Sequence, residues 1–282
     1  NAESHITEVL DRIPRNFLND NKYNIEVLII DDSSLDNTVG LANQYIIENA
    51  KLPITVFKNP NNQGYGGNQK IGYTYMLKKE FDVVVLLHGD GQYAPEYIPS
   101  LIEPILNNEA DVVFGSRMIH KKDALKGGMP LYKYLGNRFL TIVQNKLLGS
   151  DLYEFHSGYR LYSRDAIKNI PFQYNSNDFD FDTDIIIQLF DNNFRIKELP
   201  IPTFYGDEIC NVNGIKYAWN ILKSTLFSRI QHKAQLFYNP KFDYENDNNV
   251  YTNKTSFTSS HKFAIDRVNK DSIVVDIGAG PG

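Results

Sequence analysis

Asp90 and Gln92 stand two positions apart in the segment His88-Gly89-Asp90-Gly91-Gln92, directly after the apolar run Val83 to Leu87. A carboxylate and a neutral amide oxygen at that spacing can serve as a minimal ligand set for Mg2+ or Mn2+ when phosphates and water complete the octahedron. A turn that merely ends a strand, where Asp and Gly are common, is the other reading. Asp31 and Asp32 close the run Ile25 to Ile30 in the same way. A carboxylate there can accept a hydrogen bond from a nucleobase N–H, or belong to a solvated turn or helix cap. Gly64, Gly66 and Gly67, followed by Asn68, allow close approach of backbone to a ligand at a helix start. Their spacing is not that of a dinucleotide fingerprint, and an ordinary flexible loop explains them equally well. Asp178, Asp180, Asp182 and Asp184 alternate with Phe179, Phe181 and Thr183. They do not make a calcium loop, because Thr183 replaces the required Gly and Leu189 the required Glu. Acids favoured by a helix dipole are the simpler explanation, with one of Asp182 or Asp184 facing an acceptor as the functional one. His88 and His156 are candidate polar contacts in a cleft, and no His/Cys spacing suggests zinc.

The elements that must position these groups alternate in type. Ile25 to Ile30, Ile54 to Phe57, Val83 to Leu87 and Asp111 to Gly115 read as strands, with helices over about 36–49 and up to Lys79 between them. Leu131 to Leu148 reads as an amphipathic helix, Gly158 to Tyr162 as a strand and Ile185 to Phe190 as the beginning of a helix. Arg195 to Pro202 reads as extended, and a basic amphipathic helix or helix pair runs from Ile215 to about Phe237. Alternation of this kind predicts an α/β fold with a mostly parallel sheet covered on both faces, and such sheets bind ligands at the carboxyl ends of their strands. Both acidic loops lie at that edge.

Composition narrows the class. The chain has 282 residues, a formal charge of −5 and a single cysteine, Cys210. It is long enough to bury a core without disulfides, and an acidic balance argues against a nucleic-acid partner. One cysteine and no visible signal peptide at Asn1 predict a reducing, cytoplasmic setting. The longest aliphatic runs fall far below the ~20 residues of a spanning helix.

The ordered set of motifs resembles glycosyltransferase family 2, and within it the polyprenyl-phosphate or dolichyl-phosphate sugar synthases, over about residues 1–233. The carriers are Ile30-Asp31-Asp32-Ser33-Ser34 with Asp36, Asn62-Gln63-Gly64-Tyr65-Gly66, Gly89-Asp90-Gly91-Gln92 with Pro95-Glu96, Gly115-Ser116-Arg117, Ser157-Gly158-Tyr159-Arg160, and Glu198-Leu199-Pro200-Ile201-Pro202. The resemblance implies a GT-A fold and inverting, metal-dependent sugar transfer from a nucleotide-sugar donor to a polyprenyl phosphate or a hydroxyl. It also implies donor contacts from Ile30, Asp32, Gly64, Gly66, Gly89, Asp90 and Arg117, with Asp32 at the nucleobase and Arg117 at phosphate or sugar. Asp90 and Gln92 become the ligands of Mg2+ or Mn2+. His156, Ser157, Arg160 and Lys126 fall on the acceptor side. A hydroxyl acceptor would need a base, with Glu154 as first candidate and Asp182 or Asp184 next, whereas a lipid phosphate is already anionic. Three departures stand out: His88 replaces the first acid of an Asp-x-Asp pair, Glu154 replaces an Asp, and Tyr205-Gly206-Asp207-Glu208 replaces basic residues. A catalytically impaired nucleotide-sugar-binding scaffold and a nucleotidyltransferase are the alternatives, the latter lacking its basic Gly-rich loop.

The domain reading is a GT-A domain over 1–237, a polar linker over 238–260 and a truncated methyltransferase-like start over 261–282. That last segment carries Asp276-Ile277-Gly278-Ala279-Gly280-Pro281-Gly282 after a strand and resembles the first motif of class I S-adenosylmethionine methyltransferases. S-adenosylmethionine would belong to a longer protein, not to these residues. The family's first strand is expected to be absent, leaving a gap between Ile25 to Ile30 and Val83 to Leu87 that reaches the nucleotide site. Lys121, Lys122, Lys126 and Lys133, with Lys216, Lys223, Arg229 and Lys233 among Tyr217, Trp219, Leu222 and Phe227, suggest a peripheral place on the cytoplasmic membrane face.

Overall fold

The structure is a computed structural model and describes residues 1–205, 213–234 and 238–243. Cys210 and the methyltransferase-like segment lie outside the described residues, as does most of the expected linker. In chain order the elements are α1 (Ile6–Arg12), α2 (Arg15–Leu18), β1 (Val27–Asp31), α3 (Thr38–Glu48), β2 (Ile54–Lys58), α4 (Tyr65–Lys78), β3 (Val83–Leu86), α5 (Ile98–Leu106) and β4 (Val112–Ser116). They continue with α6 (Lys121–Lys126), α7 (Leu131–Leu148), β5 (Arg160–Ser163), α8 (Arg164–Lys168), α9 (Phe181–Asp191), β6 (Ile196–Pro200) and α10 (Gly214–Ala234).

β1 pairs with β2 in parallel, and a second sheet has the order β3-β5-β4-β6. β4 and β6 are parallel, but β5 runs antiparallel to both β3 and β4. The second sheet is therefore mostly parallel with one exception, β5, which runs against the other three. The long excursion through α6 and α7 returns the chain from the opposite end, so no right-handed parallel crossover is imposed on β5.

Alternation along the central strands sorts the core into two layers. Val112, Phe114 and Tyr162 point into one cluster with Tyr73 and Met76 of α4 and Ile185, Ile186 and Leu189 of α9. Val113, Tyr159 and Leu161 point into the other, with Ile6 and Leu10 of α1, Tyr45 of α3 and Leu101 of α5. Helices thus cover both faces, as a strand's period of two requires of a sheet buried on both sides.

β1 and β3 belong to different sheets, and a cavity of about 1200 Å3 lies between them. The gap expected from the sequence is present. Its walls are Val27, Ile29, Val85 and Leu87 with Ile6, Val9 and Leu10 of α1, and at one end it reaches Asp32, Ser33, His88 and Gly89. All four residues of β3 are only half-buried for this reason, although their composition is that of a central strand.

The compact unit extends through Asp243, six residues beyond the expected boundary at 237. Phe242 is buried, and the Lys241 ammonium reaches Asp184 at 2.8 Å and Ser224 at 3.1 Å. Residues 240–242 form a 3-10 turn and do not behave as linker.

Candidate active site

The Asp32 carboxylate holds the Gly-rich loop. Its Oδ1 accepts from the Gln63 N–H at 2.8 Å and the Asn59 amide at 2.8 Å, and its Oδ2 from the Gly64 N–H at 3.0 Å. Asn68 donates to the Ile30 carbonyl at 3.2 Å, which ties the end of β1 to the start of α4. The glycines there also make room for the chain itself. A Cβ at Gly64 would lie 2.5 Å from the Asn177 carbonyl oxygen, and Gly64 has φ +80°. One at Gly66 would lie 2.4 Å from the Ser176 carbonyl oxygen and 2.7 Å from the Phe181 Cβ. The Gly66 N–H donates to Asn177 at 2.8 Å. Segment 176–181 of the chain itself makes this close approach, and the Gly64, Gly66 and Gly67 N–H groups are engaged by Asp32 and Asn177.

Asp90 and Gln92 follow β3 in a tight turn, with Gly91 at φ +79° and the Gln92 N–H bonded to Asp90 Oδ1 at 3.1 Å. Among the described residues no group of three His, Cys, Asp or Glu side chains could hold a metal. The pair expected from the sequence is the Asp90 carboxylate and the Gln92 amide oxygen. That hard-oxygen set fits Mg2+ or Mn2+ bound chiefly through substrate phosphates and water, the usual manner for Mg2+.

His88 does not project freely into the cleft. Its ring stands edge-on to Tyr65 and Tyr93, with centroids 5.7 Å and 5.2 Å away, and a Cβ on Gly158 would lie 2.5 Å from its Cε1. Burial lowers its pKa against the pull of Asp90 and Asp182. Its Nε2 lies 3.4 Å from the Tyr65 hydroxyl, so His88 joins the Gly-rich loop to the turn after β3 and to Gly158.

The three candidate bases each have partners. Glu154 is buried. It accepts from the Arg117 backbone N–H at 2.7 Å, from Arg117 Nε at 3.1 Å and from the Asn137 amide at 2.8 Å, and it pairs with Arg117 Nη2. Burial pushes its pKa up, but Arg117 and Asn137 outweigh burial and hold it below the usual carboxylate value. Asp182 accepts from the Tyr65 hydroxyl at 2.9 Å and lies 3.5 Å from Arg160. Asp184 is fully enclosed and held by Ser224, by Lys241 and by the Ser176 N–H.

On the expected acceptor side, Arg160 is 1% exposed and donates to the Ser157 and Phe155 carbonyls at 2.8 Å each and to the Asp182 carbonyl at 3.2 Å. It braces the loop from inside rather than meeting a ligand. Ser157 is buried and accepts from the Tyr159 N–H at 3.3 Å. His156 meets the Tyr217 hydroxyl through Nδ1 at 3.0 Å, while its buried Nε2 has no hydrogen-bond partner. Burial lowers its pKa to about 4. Lys126 is exposed beside Asp123 on α6. Arg117 Nη1 meets the Tyr205 hydroxyl at 3.3 Å, and Tyr205 also carries the Lys133 ammonium 5.2 Å from its ring centroid. Glu198, quoted only as part of a motif, accepts the Tyr153 and Glu154 N–H groups at 2.6 Å and 2.9 Å. Burial pushes its carboxyl up to about 7. Tyr217, Asn137 and Lys241 carry no local signal in the sequence, since each is defined by a partner far along the chain.

An Asp-capped loop, an acidic turn and a buried arginine gather at the strand ends of this α/β fold, as expected of a glycosyltransferase of GT-A type. The model of the family described as Glycosyl transferase family 2 matches residues 1–170, and the chain belongs to that family. A Methanococcus voltae UDP-N-acetylglucosamine–dolichyl-phosphate N-acetylglucosaminyltransferase is 29% identical over 210 residues, covering 71% of this chain and 82% of that protein. The polyprenol monophosphomannose synthase of Mycolicibacterium smegmatis is 25% identical, covering 66% of this chain and 68% of that protein. Among solved structures, mannosyl-3-phosphoglycerate synthase from Rubrobacter xylanophilus superposes with a TM-score of 0.63 at 14% identity, covering 84% of this chain and 73% of that one. Glucosyl-3-phosphoglycerate synthase from Mycobacterium tuberculosis, solved with Mn2+ and UDP-glucose, gives 0.55 at 18% identity, covering 80% and 76%. These two show the fold. The chain is a family 2 glycosyltransferase.

Proposed function

We propose that this chain transfers a sugar from a nucleoside diphosphate donor to a polyprenyl phosphate, with inversion at the anomeric carbon and a divalent metal beside Asp90 and Gln92. The observation that carries the reading is the engagement of Glu154, Asp182 and Asp184 by cations and N–H or O–H donors. A hydroxyl acceptor loses its proton as it attacks and needs a carboxylate within reach whose pKa lies near the working pH. Glu154, held low by Arg117, is the opposite of such a base, and Glu198, whose carboxyl burial pushes up to about 7, is taken up by the Tyr153 and Glu154 N–H groups. A phosphate acceptor is already anionic and needs none. Its oxygen forms the bond to the anomeric carbon as the bond to the donor's β-phosphate oxygen breaks, and the electron pair leaves with the nucleoside diphosphate.

A metal ion bound there offsets charge on the departing diphosphate. The chain's own part is orientation. Asp32 fixes the loop 62–64 around the nucleobase end, Arg117 presents Nη1 toward donor phosphate by releasing the long bond to Tyr205, and His156, tied to Tyr217, lines the acceptor side. The polyprenyl- and dolichyl-phosphate relatives support the acceptor class, and the Mn2+ and UDP-glucose complex of a structural relative supports the metal. The test is a panel of nucleotide sugars with undecaprenyl phosphate and Mn2+, comparing wild type with Asp90→Ala. Wild type should form a lipid-linked sugar and lose it with chelator, and Asp90→Ala should be inactive yet folded. Transfer to a hydroxyl acceptor alone, or full activity in Asp90→Ala, would refute the reading.

A further inference from the structure

Helix α7 faces solvent with the wrong residues. Leu131, Tyr132, Leu135, Phe139 and Ile142 are each between 56% and 72% exposed, while Tyr134, Leu140, Thr141 and Gln144 are buried on the other side. Positions 131, 135, 139 and 142 follow one helical stripe. Gly136 opens the same face, with nothing within 4 Å of where its Cβ would stand. Lys146 continues the stripe and is exposed. Helix α10 packs beside α7 and is inverted in the same sense. It buries Ser224, Thr225 and Ser228 against its own domain and exposes Ile215, Trp219, Leu226 and Phe227, with Lys216 and Lys223 among them. Neither helix contains an Asp or a Glu, in a chain whose net charge is −5.

The apolar area on α7 alone is on the order of 500 Å2, near the upper end of what a monomer's surface carries. We infer that the outward faces of α7 and α10 form a docking surface for an anionic lipid bilayer, lying in its headgroup region without crossing it. Lysines among exposed Trp, Tyr, Leu and Phe are the composition of an interfacial helix. A second copy or another protein fits less well, because lysine is depleted from protein interfaces. No helix among the described residues is long and apolar enough to span a membrane.

The surface differs from the one expected from sequence. Tyr217 turns inward to His156, and Arg229 turns inward to Asp191. The principal stripe is on α7. The inward faces of the same two helices reach the site, Asn137 of α7 through Glu154 and Tyr217 of α10 through His156. Docking would therefore set the site against the bilayer, and the benefit of that placement, though not the docking, rests on the lipid-phosphate reading above.

Co-sedimentation of the full chain with phosphatidylcholine vesicles, with and without phosphatidylglycerol, tests the inference directly. Trp219 is the single tryptophan and reports its own immersion. Binding should require phosphatidylglycerol, weaken with salt and shift the Trp219 emission to the blue. Leu135→Ser with Phe139→Ser should weaken it by at least about tenfold while leaving thermal unfolding and nucleotide-sugar binding unchanged. Lys146→Glu with Lys223→Glu should weaken it too. No binding to either vesicle, equal binding to both, an unmoved Trp219 emission, or a solution dimer that the Leu135 and Phe139 changes dissociate would each overturn it. Docking without sugar transfer would leave this inference standing and remove the lipid-phosphate function.

Discussion

Replacing Glu154 by Gln keeps the side chain's size and removes its charge. The carboxylate is 0% exposed, and the Arg117 side chain it neutralises is 10% exposed. Removing one partner of a buried pair costs about 3–5 kcal/mol, because the other charge is left uncompensated. Arg117 retains the His156 carbonyl at 3.1 Å and the Tyr205 hydroxyl at 3.3 Å, so the lower end is expected. A loss of about 3 kcal/mol in a domain of this size corresponds to roughly 6–12 °C in Tm. The pH dependence follows from the direction of the shift. Glu154 is held below its usual 4.5 by Arg117 and Asn137 in spite of burial, so its stabilisation is present above about pH 4.5 and is lost as pH falls through the folded value. The gap between wild type and Glu154→Gln should therefore narrow in acid. Glu154→Leu with Arg117→Met removes both charges and should recover most of the stability, since apolar replacement of a buried pair is close to neutral. It should not recover transfer. Calorimetry from neutral to acid pH, with initial rates on the same samples, measures all of this. A Glu154→Gln protein that melts within about 1 °C of wild type and yet transfers no sugar would refute the reasoning and restore Glu154 as a base.

Gly66→Ala should cost about 1–3 kcal/mol, because the new methyl meets the Ser176 carbonyl and the Phe181 side chain. A variant with wild-type Tm and weakened donor binding would instead assign that glycine to the ligand. The His156 ring should stay neutral in NMR titration until near pH 4, and a midpoint near 6.5 would show it solvated. Because its folded value lies below the unfolded one, wild type loses stability as pH falls from 6.5 toward 4, and His156→Phe should lessen that loss.

By itself the sequence determined the alternation of strands and helices, the acidic turns after β1 and β3, the arginine after β4 and the family. These are legible because hydrophobic period and turn chemistry act within a few residues. The gap between β1 and β3 was legible too, from the first strand that the family resemblance implies, with two apolar strands beside it that should each be central. The tertiary structure alone decided what those residues touch. Glu154 reads as a base until Arg117, 37 positions away, is seen to hold it. Asp184 reads as a site acid until Lys241, 57 positions on, closes over it. Gly64 and Gly66 read as ligand glycines until segment 176–181 is found filling their space. The antiparallel entry of β5 and the inverted faces of α7 and α10 have the same origin. Each depends on which distant surface packs against a given face, and no local propensity encodes a contact that exists only once the chain has closed a long loop.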